Sequence, residues 1–275
     1  MNWIKKNIKF FFDLFAYNVL PSRARKQNYN LYKSIFLNGK VDQEFEVLPY
    51  IINSESMVID IGANNGEYCY FFQKIIQTKS IIAFEPIPSL FRRLKILYPK
   101  IQVYPYAVSD QTRKSQLYIP YINSEKYETR AKLDLLPEKG QTKLITVNVD
   151  TISLDELLGD EISKINFIKI DIEGHELQAI RGAKKIISRF NPILMIEIEY
   201  RHHQNDFYAV IDEICLMGYT CNYYDRVTKL ILDISHFSIS LHQNLNNKEN
   251  YYIHNLFFFP LNYSIETLNS ILKKT

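Results

Sequence analysis

The densest chemistry in the sequence lies in Lys169-Ile170-Asp171-Ile172-Glu173-Gly174-His175-Glu176, where ionisable side chains crowd a short apolar run and the turn after it. Carboxylates placed close together raise one another's pKa, and a histidine beside them titrates near neutrality. Such a group can remove the proton of an attacking hydroxyl, with Asp171, Glu173 or His175 as the base. The same acids would also suit a helix N-terminus, where the helix dipole favours negative charge. A second cluster, Glu197-Ile198-Glu199-Tyr200-Arg201-His202-His203, follows another apolar run. Strand alternation puts Glu197 and Glu199 on one side, and at most one of the adjacent His202 and His203 can serve as ligand or base. With Asp171, the two glutamates offer three hard oxygens. These would make either a coupled proton-sharing site or a Mg²⁺ site that keeps several waters. A solvated loop with an ion pair is the plain alternative.

Upstream, Asp60-Ile61-Gly62-Ala63-Asn64-Asn65-Gly66 has two of the eight glycines. Glycine is wanted where φ is positive or where a ligand approaches the backbone, and a helix starting just afterwards would turn its free N–H groups on a ligand. Asp60 could hold an ammonium or amide through a charge-assisted contact. Glu85, followed by Pro86, lies about 20 residues on, the distance at which an acid accepts both hydroxyls of a ribose. Asp110, in Ala107-Val108-Ser109-Asp110, could meet an adenine amino group, or simply form a turn. The spacing is not the G-x-G-x-x-G of a dinucleotide phosphate loop. A nicotinamide-dependent oxidoreductase would need a third glycine near Tyr68 and a hydride-transfer site, and neither is evident.

These residues need a scaffold that brings them to one edge. Short apolar runs at 57–62, 80–85, 101–108, 165–171, 192–199, 219–224 and 255–260 read as strands. Helical spacing marks 42–52, capped by Asp42, then 66–77, a helix opening at Pro88, 153–158, 175–189 and 206–217. The polar stretch 111–145 interrupts the alternation and reads as a β-hairpin plus a loop. Strands alternating with helices imply an α/β, mostly parallel, doubly wound sheet with helices on both faces, whose ligands sit at the carboxyl ends of the strands.

The 275 residues are 47% hydrophobic with a net charge of +3, enough apolar material for one large α/β core and no basic stripe for nucleic acid. Cys69, Cys215 and Cys221 are odd in number and lack CxxC spacing, so neither a disulfide framework nor a zinc site is expected, and a reducing, cytoplasmic setting fits. At the N-terminus, Ile4, Ile8, Phe11, Phe12, Phe15 and Val19 recur at helical spacing among basic residues. Lys9 and Asp13 interrupt the run that a signal peptide or membrane span would need. The segment reads as an amphipathic helix packed on the domain, or as a basic helix on the inner face of an anionic membrane through residues 1–24. The oligomeric state is open.

The sequence also resembles the FkbM family of methyltransferases. The resemblance is carried by VIDIGANNGEYCYFF at 58–72, IIAFEPIPSLFRRL at 81–94, YAVSD at 106–110, VDTISLDELL at 149–158, INFIKIDIEGHELQAIRGA at 165–183 and PILMIEIEYRHHQ at 192–204. GYTCNYY, LHQNLNN and HNLFFFP are similar to one branch. The resemblance implies a Rossmann-like class I methyltransferase fold with a seven-stranded sheet, in a domain over residues 41–275 behind an extension at 1–40. It implies S-adenosylmethionine as donor, bound by Asp60, Gly62, Asn64, Gly66 and Glu85, with Asp171 bordering donor and acceptor; Pro86 and Asp110 are expected to join the donor site from their places beside these residues. It further implies O-methylation of a sugar in a surface glycan, glycolipid or natural product; a non-catalytic S-adenosylmethionine-binding scaffold is the alternative. The absence of [DN]-P-P-[YF] after the fourth strand favours oxygen as acceptor. Acids after strands four and five resemble the metal sites of some class I O-methyltransferases, which would make Asp171, Glu197 and Glu199 ligands. At position 175 the family more often has Ala than His, a departure that bears on His175 as a catalytic residue alongside Asp171, Glu173 and His202.

Overall fold

The computed structural model describes residues 21–37, 42–122, 125–126, 130–133, 141–244 and 251–274. Helix α1 (Pro21–Leu37) precedes a 3-10 turn (Gln43–Glu46) and the single-turn helix α2 (Leu48–Ile51). Strands and helices then alternate through β1 (Val58–Ile61), α3 (Glu67–Ile75), β2 (Ile81–Phe84), α4 (Pro88–Leu97) and β3 (Gln102–Tyr104). An excursion comes next, made of β4 (Tyr106–Val108), β5 (Arg113–Ile122), β6 (Glu125–Lys126) and β7 (Gln141–Ile152). The chain returns through α5 (Leu154–Leu158) to β8 (Phe167–Ile170), then α6 (Glu176–Arg181), α7 (Lys184–Phe190), β9 (Ile193–Glu197) and α8 (Tyr200–His203). It ends with α9 (Phe207–Cys215), β10 (Tyr219–Asp225), β11 (Leu230–Asp233), α10 (Ile239–His242), β12 (Asn255–Pro260) and α11 (Ile265–Leu272).

The main sheet has the order β11-β10-β12-β9-β8-β1-β2-β3. β3, β2, β1, β8 and β9 are parallel, while β12 runs antiparallel to both β9 and β10. The chain winds outward in two directions from β1, so a crevice opens beyond the carboxyl ends of β1 and β8. β1, β2 and β8 are buried along their whole length because helices cover both faces, which is why they read as continuous apolar runs. Alternation divides their side chains: Val58, Phe167, Met195 and Phe257 pack on one face, and Ile59, Ile168, Leu194 and Leu256 on the other.

The doubly wound sheet is the expected one, with eight strands in place of seven: β11 adds a hairpin partner to β10. The single strand expected over 101–108 is divided at Pro105, which has no N–H to give a ladder. β3 stays in the main sheet while β4 joins a second sheet, β4-β7-β5-β6. The polar stretch is thus largely strand, with β5 and β7 paired antiparallel from Arg113↔Thr151 to Ile122↔Gln141. Their apolar face, Leu117, Ile119 and Val149, closes over Ile87, Leu90 and Ala107. The helix expected at 175–189 breaks at Gly182, where a Cβ would sit 2.0 Å from the Ser109 carbonyl oxygen. The helix expected at 42–52 is a 3-10 turn and a separate short helix, and Asp42 makes no side-chain cap there.

Residues Ile4 to Val19 lie outside the described residues. Helix α1 is packed on the domain: Asn28 Nδ2 donates to Tyr98 Oη at 2.9 Å, and Tyr32 packs its ring on Tyr70 at 5.2 Å between centroids. Among the described residues, no helix is long and apolar enough to cross a membrane.

Candidate active site

The turn after β1 is shaped by what it presses against. Gly62 sits at φ +83°, and a Cβ there would lie 1.9 Å from the Asp171 carbonyl oxygen, so only glycine lets the β1 and β8 turns meet. Gly66, also at φ +83°, makes room for the Tyr98 ring. Two tyrosines fasten this loop: Tyr98 Oη donates to the Gly66 carbonyl at 2.8 Å, and Tyr32 Oη to the Asn65 carbonyl at 3.1 Å.

Glu85, at the end of β2, is buried beneath the loop. Its Oε2 accepts the Asn64 N–H and its Oε1 the Ile87 N–H, both at 2.8 Å. These two bonds, one on each oxygen, fix the orientation of the carboxylate. Gly62, Asn64, Glu85, Pro86, Asp171 and Glu173 line a cleft that opens to solvent. Tyr106, Val108, Leu117 and Leu133 give it an apolar wall, part of it from the second sheet. That combination of a mostly apolar slot with a few fixed polar groups is what a small-molecule site needs.

On one face of the sheet, alternation aligns Asp60, Lys169, Asp171 and Glu197. Asp60 and Lys169 are register partners, and Lys169 Nζ is 2.9 Å from Asp171 Oδ2. Burial raises the Asp171 carboxyl, but the Lys169 ammonium and a hydrogen bond from Glu197 outweigh it and hold Asp171 well below the ordinary range. Burial and the Asp171 charge push Glu197 well up. The opposed directions are those of a hydrogen-bonded carboxyl pair that titrates as a unit. Glu199 lies next in the row. Burial raises it, yet its bonds to Arg201 bring it down to about 2, and Tyr252 Oη also donates to it at 2.8 Å. Asp171 meets Glu197 and Glu197 meets Glu199 in a row, but among the described residues the three carboxylates do not converge on one point as the expected oxygen ligand set requires. Lys169 and Arg201 already meet their charge, which favours the proton-sharing arrangement over a cation.

Glu173 turns toward the cleft from a left-handed φ of +56°. Its Oε2 lies 2.8 Å from His202 Nε2 and 3.3 Å from Arg201 Nη2. Burial raises the Glu173 carboxyl. His202 Nδ1 faces Lys132 Nζ at 3.4 Å; an ammonium can only donate, so Nδ1 is the acceptor in that contact, and Nε2 lies beside Glu173 without hydrogen-bond geometry. Glu176 shapes the turn: its Oε1 accepts the Gly174 N–H at 2.9 Å, and its Oε2 meets His203 Nε2 at 3.1 Å.

Several expected site residues stand elsewhere. Asp60 is buried under the loop, its Oδ2 accepting the Cys69 thiol at 3.6 Å, and burial raises its carboxyl to about 6. Gly66 packs behind the loop. Asp110 is exposed past β4, its Oδ1 accepting Ser109 Oγ at 3.2 Å. His175 is buried with Nε2 3.0 Å from Ser109 Oγ. None of these four lines the cleft. Sequence reasoning gave no role to Lys169, whose i, i+2 relation to Asp171 in a strand was the available signal. It also missed Lys132, which sits in the second sheet with no motif around it.

The family model "Methyltransferase FkbM domain" matches residues 60–221, more than half the chain. The chain belongs to the FkbM family of methyltransferases. It is 27% identical over 165 residues to the hexuronic acid methyltransferase AglP of Haloferax volcanii, a match covering 58% of this chain and 62% of AglP. It is 25% identical over 202 residues to the AMB antimetabolite synthetase AmbE of Pseudomonas aeruginosa, covering 59% of this chain and 9% of AmbE. Both matches span less than two thirds of the relative. Among solved structures, an FkbM methyltransferase from Methylobacillus flagellatus superposes with a TM-score of 0.48 at 17% identity, covering 80% of this chain and 49% of that one.

Proposed function

We propose that the protein transfers the methyl group of S-adenosylmethionine to a hydroxyl oxygen of a sugar, within a surface glycan, glycolipid or natural product. The observation that carries this reading is that Glu85 and Glu173 open on one cleft from opposite sides. The first is a braced carboxylate suited to ribose hydroxyls, and the second a buried carboxylate of raised pKa suited to a proton. The sugar class draws support from the relative named as a hexuronic acid methyltransferase.

The residues fit the donor. Glu85 lines the cleft as a charged acceptor for the ribose, the Gly62–Asn64 turn offers backbone at close range, and Pro86, Tyr106 and Val108 supply an apolar surface for a flat base. Bound S-adenosylmethionine supplies a methyl carbon on a sulfonium, an electrophile that needs no further activation. The chain's own task is to align the acceptor oxygen, and positioning of this kind is worth roughly 7–11 kcal/mol. Glu173 takes the hydroxyl proton as the oxygen attacks. Arg201 holds the Glu173 carboxylate by a hydrogen bond, His202 Nε2 stands 2.8 Å from the same oxygen, and Asp171 with Glu197 forms the polar floor beside it.

Glu173→Gln tests this assignment, because it keeps the shape and removes the base. Turnover is expected to fall by about 10²–10⁴, while affinity for S-adenosylhomocysteine stays within about threefold of the parent. Turnover equal to that of the parent protein would reject Glu173 as the base.

A further inference from the structure

Beyond the cleft wall, three side chains from opposite ends of the chain converge. Asp42 precedes the 3-10 turn Gln43–Glu46, Glu44 lies within it, and His254 directly precedes β12. One ligand atom from each, two carboxylate oxygens and an imidazole nitrogen, lies within 4.8 Å of the other two. Asp42 Oδ1 and His254 Nε2 are 3.8 Å apart. That is too long for a hydrogen bond, but two donors held at ~2.0–2.2 Å from a common ion are separated by roughly 3–4.3 Å.

The second observation is independent of that spacing. Glu44 is 0% exposed, and neither of its carboxylate oxygens makes a hydrogen bond among the described residues. The His254 and Asp42 charges act on it, and the Asn255 side chain approaches it without meeting good hydrogen-bond geometry. Burial raises the Glu44 carboxyl, so the group is held either by a proton or by a compensating cation, and the convergence of Asp42 and His254 on it favours the cation. Asp42 carries the outer contact that commonly orients a metal-binding carboxylate: its Oδ2 accepts the Tyr68 hydroxyl at 2.9 Å. The Asp42 and His254 side chains retain 35% and 27% exposure, which leaves an entry path from solvent.

We propose that Asp42, Glu44 and His254 form a divalent metal site. One imidazole and two carboxylates suit Mn²⁺ or Zn²⁺ better than Mg²⁺ or Ca²⁺, which favour all-oxygen shells. Three protein donors leave room for water. The ion ties the segment before β1 to β12, and Tyr68 connects it to the first turn of α3, directly after the Gly62–Gly66 loop. The site is separate from the Asp171–Glu197–Glu199 row and stands whether or not the protein transfers methyl groups.

The test is a binding measurement on the full chain after chelation and desalting. Mn²⁺ is titrated while the free-ion paramagnetic resonance signal is followed, with Zn²⁺ as competitor. One saturable site per chain is expected. Glu44→Gln and His254→Gln should each weaken it by at least 10–100-fold, and Tyr68→Phe by about 10-fold. Glu44→Gln is nearly isosteric and removes a buried charge, so an unchanged circular dichroism spectrum keeps its result interpretable. A melting temperature that rises with Mn²⁺ in the parent but in neither ligand variant is the second expected result. The proposal fails if the parent shows no saturable binding, if both ligand variants bind as the parent does, or if the site is lost on Glu197→Gln instead.

Discussion

Replacing Glu85 by Gln probes the donor half of the cleft with the least change of shape. The carboxylate accepts two backbone N–H groups at 2.8 Å, one on each oxygen, from Asn64 and Ile87. An amide has a single acceptor oxygen, so its NH₂ must confront one of these donors. Hydrogen bonds to charged groups are worth about 1.5–3 kcal/mol each. A loss of about 2 kcal/mol in a chain of this size lowers the melting temperature by roughly 4–8 °C. Donor affinity should fall by roughly 10–100-fold, since a charged acceptor for ribose is lost as well. Loop distortion alone could also weaken binding, so the assay is a cycle: calorimetric titration of parent and variant with S-adenosylhomocysteine and its 2′-deoxy and 3′-deoxy analogues. The parent should lose affinity for at least one deoxy analogue, and the variant should lose much less. Equal deoxy penalties in the two proteins would show that Glu85 braces the loop without reading the ribose, and the donor assignment would fall.

Gly62→Ala places a methyl 1.9 Å from the Asp171 carbonyl at a positive φ; it should leave little folded protein, and a folded variant with normal S-adenosylhomocysteine affinity would contradict the close-approach argument. Tyr32→Phe removes a 3.1 Å bond to the Asn65 carbonyl, worth about 1 kcal/mol; a several-fold loss of donor affinity is expected by calorimetry, and no change would mean that α1 does not support the loop. Asp60 has its carboxyl raised to about 6 by burial. Between its unfolded value near pH 4 and pH 6 the folded state keeps a proton that the unfolded chain has released, so stability falls as pH rises through that window. Asp60→Asn removes this term, and denaturant titrations should find the variant gaining on the parent by on the order of 2 kcal/mol between pH 4 and pH 7.5; a constant difference across pH would refute the buried-charge account.

How much of this was legible in the sequence varies by residue. Buried strands announce themselves as apolar runs, so the parallel β1, β2, β8 and β9 and the antiparallel β12 were readable, and with them the edge where Gly62, Glu85, Asp171 and Glu173 meet. β11 and the division at Pro105 were not, because each depends on which neighbour a strand finds rather than on its own composition. Asp60 reads as a ligand because it sits beside Gly62, but period-2 alternation turns it to the face opposite Ile61, into the core beside Cys69. His175 reads as a base because of its acidic neighbours, yet the turn that Glu176 closes sends it toward Ser109. Asp42 was readable as polar and near a helix start; its link to His254 depends on a contact between chain ends that no local pattern encodes.

The most direct test of the account is transfer of a labelled methyl group. Purified protein would be incubated with ¹³C-methyl S-adenosylmethionine and a panel of uronic-acid and neutral-hexose glycosides, and the products read by carbon–proton correlation spectroscopy. The account predicts acceptor-dependent S-adenosylhomocysteine formation together with a new methoxy signal on one sugar hydroxyl, abolished by Glu173→Gln. A folded protein that binds S-adenosylhomocysteine yet transfers label to no acceptor, or places it on nitrogen, would contradict it.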